Sequence, residues 1–346
     1  MSRRRRVVGF CKWMLAILLH VTGGLAWLRR RRTARGEIPV LGFHRVVGAV
    51  TEPLPLALPE AMFEAIVRGA AQHYAMPLWE RCVGALQEGL SKPLLVFTFD
   101  DGYRDQAAIA WPRLRAVGAT GIFCVTTGVV DGHERFWWEV IGARHRPSPD
   151  VGVEIDDRGE ASYGRAANAA IARLKSVPAE QWREQVRQAH AELYAAEVSC
   201  LTPAMSWEDV KRLAAAGAQF GGHGVTHPNL TQCGDAALAA ELEGCRDALA
   251  THLRHGVSLF AYPNGSYDAR VVAATQGAGF RWAFTVERGY FTADCDPLRI
   301  PRLMVSRAMC SWNGTRFSWP LFEAEVLGIF ETLLGRRRRQ RKTAAS

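Results

Sequence analysis

From residue 38 onward, short apolar runs alternate with longer stretches of helical periodicity. "IPVLGFHRV" is a strand ending near His44, and "PLLVFTF" is a second, followed by the helix-like "DQAAIAWPRLRAVG". "ATGIFCVTT" supplies a third strand. "SWEDVKRLAAAGA" opens on Ser206 with Asp209 three residues later, the signature of a capping box, and closes on glycine. A short strand "QFGGH" and a helix over about 235–254 follow, and then three more strands in "VSLFAYP", "WAFTV" and "LRIPRLMV". Such alternation predicts parallel βαβ units around one sheet or barrel. Residues 131–205 interrupt it with a longer, largely helical insertion containing "ERFWWEVIGARH".

The two ends carry different patterns. Residues 7–28 are mostly apolar and lie between two four-arginine runs, although Lys12 and His20 interrupt them. That length is enough to span a bilayer, and the flanking charge also suits an interfacial or hairpin anchor on an anionic leaflet. No small-residue cleavage pattern precedes Arg29–Arg32, which argues against a signal peptide. At the other end, "LFEAEVLGIFETLLG" (321–335) forms one broad helical stripe before "RRRRQRK". It suits a helix packed on the body or a second membrane contact equally. The expected division is a membrane-associating segment over 1–36, a catalytic body over 37–310, and an amphipathic helix with a basic tail over 311–346.

Composition changes this picture in two respects. The formal charge is +9, but ten Lys and Arg precede residue 36 and six follow residue 335, with no Asp or Glu among them. That leaves 27 basic against 34 acidic residues, about −7 over the body. A nucleic-acid partner is therefore not expected, because its binder would carry the positive charge on the folded face. The eight cysteines are scattered with no C-x-x-C spacing, which reads as buried free thiols in a reducing compartment.

Several polar residues stand where predicted strands end, the working edge of a parallel barrel. Asp100 and Asp101 close one strand, while His223 and His227 follow another, four residues apart. Two imidazoles and a carboxylate form a divalent-metal triad with positions open for water and substrate. The neighbouring carboxylate is then free to take a proton from activated water.

"TFDDGY" (98–103), "GGHGVTH" (221–227) and "FAYPNG" (260–265) resemble, in order, the motifs of the polysaccharide deacetylase family (NodB homology, carbohydrate esterase family 4). "LGFHRV" (41–46) and "RIPR" (299–302) resemble further landmarks, so the similarity covers roughly residues 38–305. It implies an α/β fold, a distorted (β/α)7 TIM-like barrel, which removes N-acyl groups from amino sugars with Zn2+ or another divalent ion such as Co2+, Ni2+ or Mn2+. Carried over by position, Asp100 is the general base, and Asp101, His223 and His227 are the metal ligands. The backbone N–H of Asn264 would stabilise the oxyanion. No histidine stands near "LRIPRLMVS" to act as general acid, so His44 takes that role, against the alternative of a structural histidine. Ala261 occupies the place of an arginine that would orient the base, and Arg302 is the candidate substitute.

Substrate contacts are expected from Tyr262, Pro263, Tyr103, Trp138 and Arg302, with Trp137, Trp138 and Glu139 either a sugar platform or core. His133, His252 and His255 read as surface residues. The partners implied are an N-acetylated polysaccharide or lipid-linked glycan and an anionic membrane surface. The setting is the bacterial inner membrane, the cytoplasmic face being favoured over a periplasmic or extracellular one. The competing class is a catalytically silent membrane-associated glycan-binding module, supported by Ala261 and the missing late histidine.

Overall fold

Seven short strands form a single parallel sheet: β1 (Val40–Phe43), β2 (Val96–Phe99), β3 (Ile122–Val125), β4 (Gln219–Gly222), β5 (Leu259–Ala261), β6 (Trp282–Phe284) and β7 (Leu303–Met304). The structure, a computed structural model, describes residues 3–48, 56–145, 154–155, 161–195 and 203–333. The spatial order is β6-β5-β4-β3-β2-β1-β7, with every pairing parallel. The sheet curls because the chain entering β7 touches both edges. Ile300 exchanges backbone hydrogen bonds with β6 through Ala283 and Thr285, both 2.8 Å, and Leu303 pairs with Leu41 of β1. β1, β2 and β3 are buried along their whole length, as helices on the outside and side chains on the inside require.

The elements expected from the pattern are present. Ser206 caps the helix Trp207–Ala215, its Oγ accepting from Asp209 N while Asp209 Oδ2 accepts from Ser206 N, both at 3.1 Å. The helix after β2 opens as a π turn (Gln106–Ala110). Pro112 has no N–H for the carbonyl four residues back, and the turn widens ahead of it.

The insertion has its own core. Helices Trp137–Arg144, Arg165–Leu174 and Ala179–Ala195 bury Trp137, Trp138, Ile141, Ile171, Trp182 and Val186 together. Its returning end is stitched to the loop after β2, with Met205 N donating to Gly102 O at 2.9 Å and Arg104 N to Pro203 O at 2.9 Å.

At the N-terminus, helices Arg3–Val21 and Gly24–Ala34 meet at a bend of 81°. The break falls at Gly23, whose φ of 78° suits glycine. No single described helix is long and apolar enough to cross a membrane, although this bent pair together has the length and composition. The pair docks on the C-terminal helix Trp319–Val326, where Ala16 and Leu25 pack with Leu321, Ala324, Leu327 and Phe330. The packed alternative for the C-terminal stripe thus holds over its described part. The second arginine run is divided between the protein and solvent. Arg29 pairs with buried Glu323, and Arg32 Nε donates to Leu327 O at 2.9 Å, while Arg30 and Arg31 stay exposed. Lys12, the apparent interruption of the apolar run, reaches Glu325 at 2.8 Å.

Candidate active site

The two adjacent carboxylates are separated by a reversal of the backbone. Gly102 N donates to Asp100 O at 3.0 Å, an i to i+2 turn centred on Asp101, whose φ is 76°. Gly102 follows at φ 89°, and a Cβ there would lie 3.1 Å from Val125. The turn points neighbouring side chains to different partners. The Gln106 side chain braces it, its Nε2 donating to Asp100 O at 2.5 Å and to His44 O at 2.6 Å.

Asp100 meets Arg302. The guanidinium donates to both carboxylate oxygens, at 2.8 and 2.7 Å, and is itself fixed by Thr98 Oγ1 at 3.0 Å and Thr285 O at 2.8 Å. Arg302 is fully buried and Asp100 is 3% exposed. Burial opposes ionisation of Asp100, but the charge of Arg302, then that of His223 and the Arg302 hydrogen bonds, outweigh it and hold the carboxyl well below the usual carboxylate range. Arg302 thus fills the orienting place left by Ala261. It sits behind the carboxylate, away from the cavity, so its expected substrate contact is corrected to a positioning role.

Asp101 faces the two histidines. His223 Nε2 and His227 Nε2 each lie 3.4 Å from Asp101 Oδ1. The Ala261 carbonyl, 2.7 Å from His223 Nδ1, can only accept, so Nδ1 carries a proton, and in the neutral ring that a metal ligand requires Nε2 presents its lone pair towards Asp101. Burial, and then the charge of His223, push His227 down to about 3, which keeps that ring neutral. Asp101 Oδ2 and His227 Nδ1 are buried without a hydrogen-bond partner among the described residues. Acceptors converging in this way fit a cation. At ligand distances of about 2.1 Å, the edge of a tetrahedral site is roughly 3.4 Å, and an N, N, O donor set suits a divalent ion of the zinc type. The trio is the one metal-capable group among the described residues.

The loop carrying these ligands is shaped by a residue that the motifs did not indicate. Glu241 Oε2 accepts from Val225 N at 2.7 Å and Thr226 N at 2.9 Å, and Oε1 accepts from Thr226 Oγ1 at 2.5 Å. Arg183 of the insertion reaches the same carboxylate at 3.3 Å. The loop ends on His227 at φ 60°, and Trp137 Nε1 donates to its carbonyl at 3.1 Å.

Base, ligands, His44 and Asn264 line one cavity of about 710 Å³. His44 is half-buried there. Asn264 adopts φ 57° and ψ 9°, and its Nδ2 is buried without a partner among the described residues. Of the expected substrate residues, Tyr262 and Trp138 line the cavity, the Trp138 ring lying 4.4 Å from that of His227. Pro263 and Tyr103 do not. Tyr103 is wholly buried; its ring packs on Phe136 at 4.2 Å and its hydroxyl accepts from Trp138 Nε1 at 2.9 Å, so it supports the wall from behind. Trp137 and Glu139 are core: Glu139 meets Arg45 at 3.4 Å, and Arg45 meets Asp105 at 3.0 Å. His133 and His255 are exposed as expected, whereas His252 is half-buried and stacks on Trp207 at 3.9 Å.

A family model described as polysaccharide deacetylase matches residues 87–283. No curated protein matches the chain. Among solved structures the chain is similar to the Streptococcus pyogenes deacetylase PplD in complex with acetate, with a TM-score of 0.55 and 18% identity, covering 80% of this chain and 96% of that one. IcaB from Ammonifex degensii gives 0.54 and 18%, covering 84% and 97%. A de-N-acetylase from Aggregatibacter actinomycetemcomitans gives 0.52 and 12%, covering 78% and 95%. These likenesses show the fold.

Replacing Arg302 by Met leaves burial of Asp100 without its main counter-charge, so the native pKa of the carboxyl rises above the unfolded value of about 4. The wild-type pair stabilises the fold above that value and loses its contribution only as pH falls through the lower native pKa. Arg302→Met is therefore expected to lose about 3–5 kcal/mol at pH 7. The loss shrinks as pH approaches the unfolded value and the carboxyl takes up a proton. Denaturation at pH 7 and pH 5 reads this; an equal loss at both would reduce Arg302 to packing.

Proposed function

Because the chain belongs to the polysaccharide deacetylase family, hydrolases of carbon–nitrogen bonds, we propose that it removes an N-acyl group from an amino sugar of a polysaccharide or lipid-linked glycan with the help of a divalent ion. The observation that carries this reading is the pairing, at one cavity floor, of an Arg302-held carboxylate with the Asp101, His223 and His227 set. When bound, such an ion supplies Lewis acidity that acidifies water and polarises a carbonyl.

The chain's own groups then divide the work. Asp100, kept ionised by Arg302, accepts the proton of the attacking water. The backbone N–H of Asn264 donates to the developing oxyanion, its position set by the left-handed turn over Asn264 and Gly265. His44 gives a proton to the departing amine. Tyr262, tied by its hydroxyl to Leu298 O at 2.9 Å, and Trp138 bound the sugar ring. The silent-module alternative drew on the alanine at 261, and Arg302 meets that need from the segment that enters β7.

Membrane association is the second part of the proposal. Val7, Phe10, Met14, Leu18 and Val21 recur at helical spacing and are exposed, as is Trp27 beside the exposed Arg30 and Arg31. An apolar stripe with a cationic margin supports in-plane docking on an anionic bilayer, with the body at its surface. The cytoplasmic face of a bacterial inner membrane accords with Cys11, Cys82, Cys124, Cys245 and Cys295 being free thiols.

Purified full-length protein with Zn2+ or Co2+ is expected to release acetate from N-acetylated amino sugars, with Asp100→Asn lowering the rate about 10²–10⁴-fold and His223→Ala abolishing ion-dependent release. Full activity in both variants would remove this mechanism. Co-sedimentation with vesicles containing anionic lipid is expected for the wild type and reduced in a Leu18→Glu, Trp27→Glu variant. Equal sedimentation would dismiss the stripe as the docking face.

A further inference from the structure

The charges around the cavity do not balance. Its acidic lining among the described residues is Asp100 and Asp101. Asp100 is matched by Arg302, and Asp101 belongs to the ligand set. Among the cationic side chains on the wall, Arg45 is held between Asp105 and Glu139, and Arg307 Nε donates to Ala57 O at 3.3 Å. Lys175 is not matched: no ion pair or side-chain hydrogen bond engages its ammonium among the described residues, although it is half-buried and lines the cavity.

The position of Lys175 is fixed by its backbone. It caps the insertion helix Arg165–Leu174, its N–H donating to Ile171 O at 3.0 Å, and its carbonyl accepts from Asn229 Nδ2 at 2.5 Å. Asn229 lies two residues beyond the metal ligand His227, so the lysine is tied to the site's own loop. Burial lowers its pKa and the charge of Asp101 raises it, which places Asp101 within electrostatic reach. An ion bound at Asp101 would take up that carboxylate's charge and leave the lysine without a counter-ion. A half-buried ammonium on a cavity wall, with no counter-ion of its own, offers an anionic group of the occupant a charge-assisted hydrogen bond. The body carries about −7, so a cation here is not part of a generally basic surface.

We propose that Lys175 forms an anion subsite, and that the amino sugar carries a phosphate or carboxylate, on its own ring or on the adjoining residue, which binds this ammonium. The inference rests on the deacylase reading above and narrows it: a neutral N-acetylated homopolymer would leave Lys175 unused. Asn168 and Tyr163, on the same stretch of insertion, also line the cavity and carry hydrogen-bonding side chains. Lys175 is thereby a specificity determinant contributed by the insertion and not by the barrel motifs.

The test uses full-length Asp100→Asn protein loaded with Zn2+, so that binding is read without turnover. Dissociation constants are measured for N-acetylglucosamine 1-phosphate, for the methyl glycoside of N-acetylglucosaminuronic acid and for neutral methyl N-acetylglucosaminide. At least one charged probe is expected to bind about 10- to 100-fold more tightly than the neutral one, the range of a charge-assisted hydrogen bond. Whichever charged probe binds more tightly identifies the anion. Adding Lys175→Gln is expected to remove that preference and Lys175→Arg to keep most of it, with unchanged melting midpoints showing that the fold is intact. Equal affinities for all three probes, no binding of any, or a preference that survives Lys175→Gln would overturn the proposal. Acetate release by the wild type is followed separately. Tight charged-probe binding without release would count against the deacylase reading and leave the subsite standing, whereas release without charge preference would do the reverse.

Discussion

The buried contact between Asp100 and Arg302 is the constraint around which the site is arranged. A carboxylate 3% exposed at the mouth of a barrel would take up a proton unless a cation were brought to it. The cation comes from the segment that enters β7, 202 residues away in sequence. That segment also closes the sheet, bonding β6 through Ile300 and β1 through Leu303. Curling of the sheet and ionisation of the base therefore depend on the same few residues. Removing either partner leaves a lone buried charge, which costs more than the pair contributes.

A second constraint follows from placing two carboxylates next to one another. The i to i+2 turn at Asp101 sends Asp100 to Arg302 and Asp101 to the histidines, so the two carboxylates serve different partners. That arrangement uses left-handed backbone at residues other than glycine: Asp101, His227 and Asn264 all have positive φ. Each such conformation costs about 1–3 kcal/mol and persists only where the surroundings determine it. Gln106 supports the first, Glu241 supports the loop that leads to the second, and Gly265 at φ 66° follows the third. The insertion joins this support through Arg183 and Trp137, so it does more than roof the cavity.

Much of this was legible in the chain. Strands such as "VFTF" and "IFCV" announce themselves because a parallel sheet covered on both faces needs unbroken apolar runs. Asp100, Asp101, His223 and His227 stand at strand ends, where backbone direction turns side chains into the cavity. The partner of Asp100 was reachable only as a candidate, since hydrogen bonding across 202 residues leaves no local pattern. Glu241 lies mid-helix in "AAELEG" and looks like an exposed acid until its loop contacts are seen. Tyr103 was misplaced because motif position gives proximity to a site but not which side of the wall a ring occupies. At the N-terminus, the basic run gave no sign that Arg29 and Arg32 would turn inward to a C-terminal helix almost 300 residues later.

The central claim is a division of labour: Asp101, His223 and His227 hold the ion, and Asp100 does not. Calorimetric titration of the metal-free protein with Zn2+ tests it directly. One ion per chain is predicted, with affinity lost by at least about 100-fold in His227→Ala and little changed in Asp100→Asn, whose side chain keeps its shape beside Arg302. Loss of ion binding in Asp100→Asn, or undiminished binding in His227→Ala, would contradict the account.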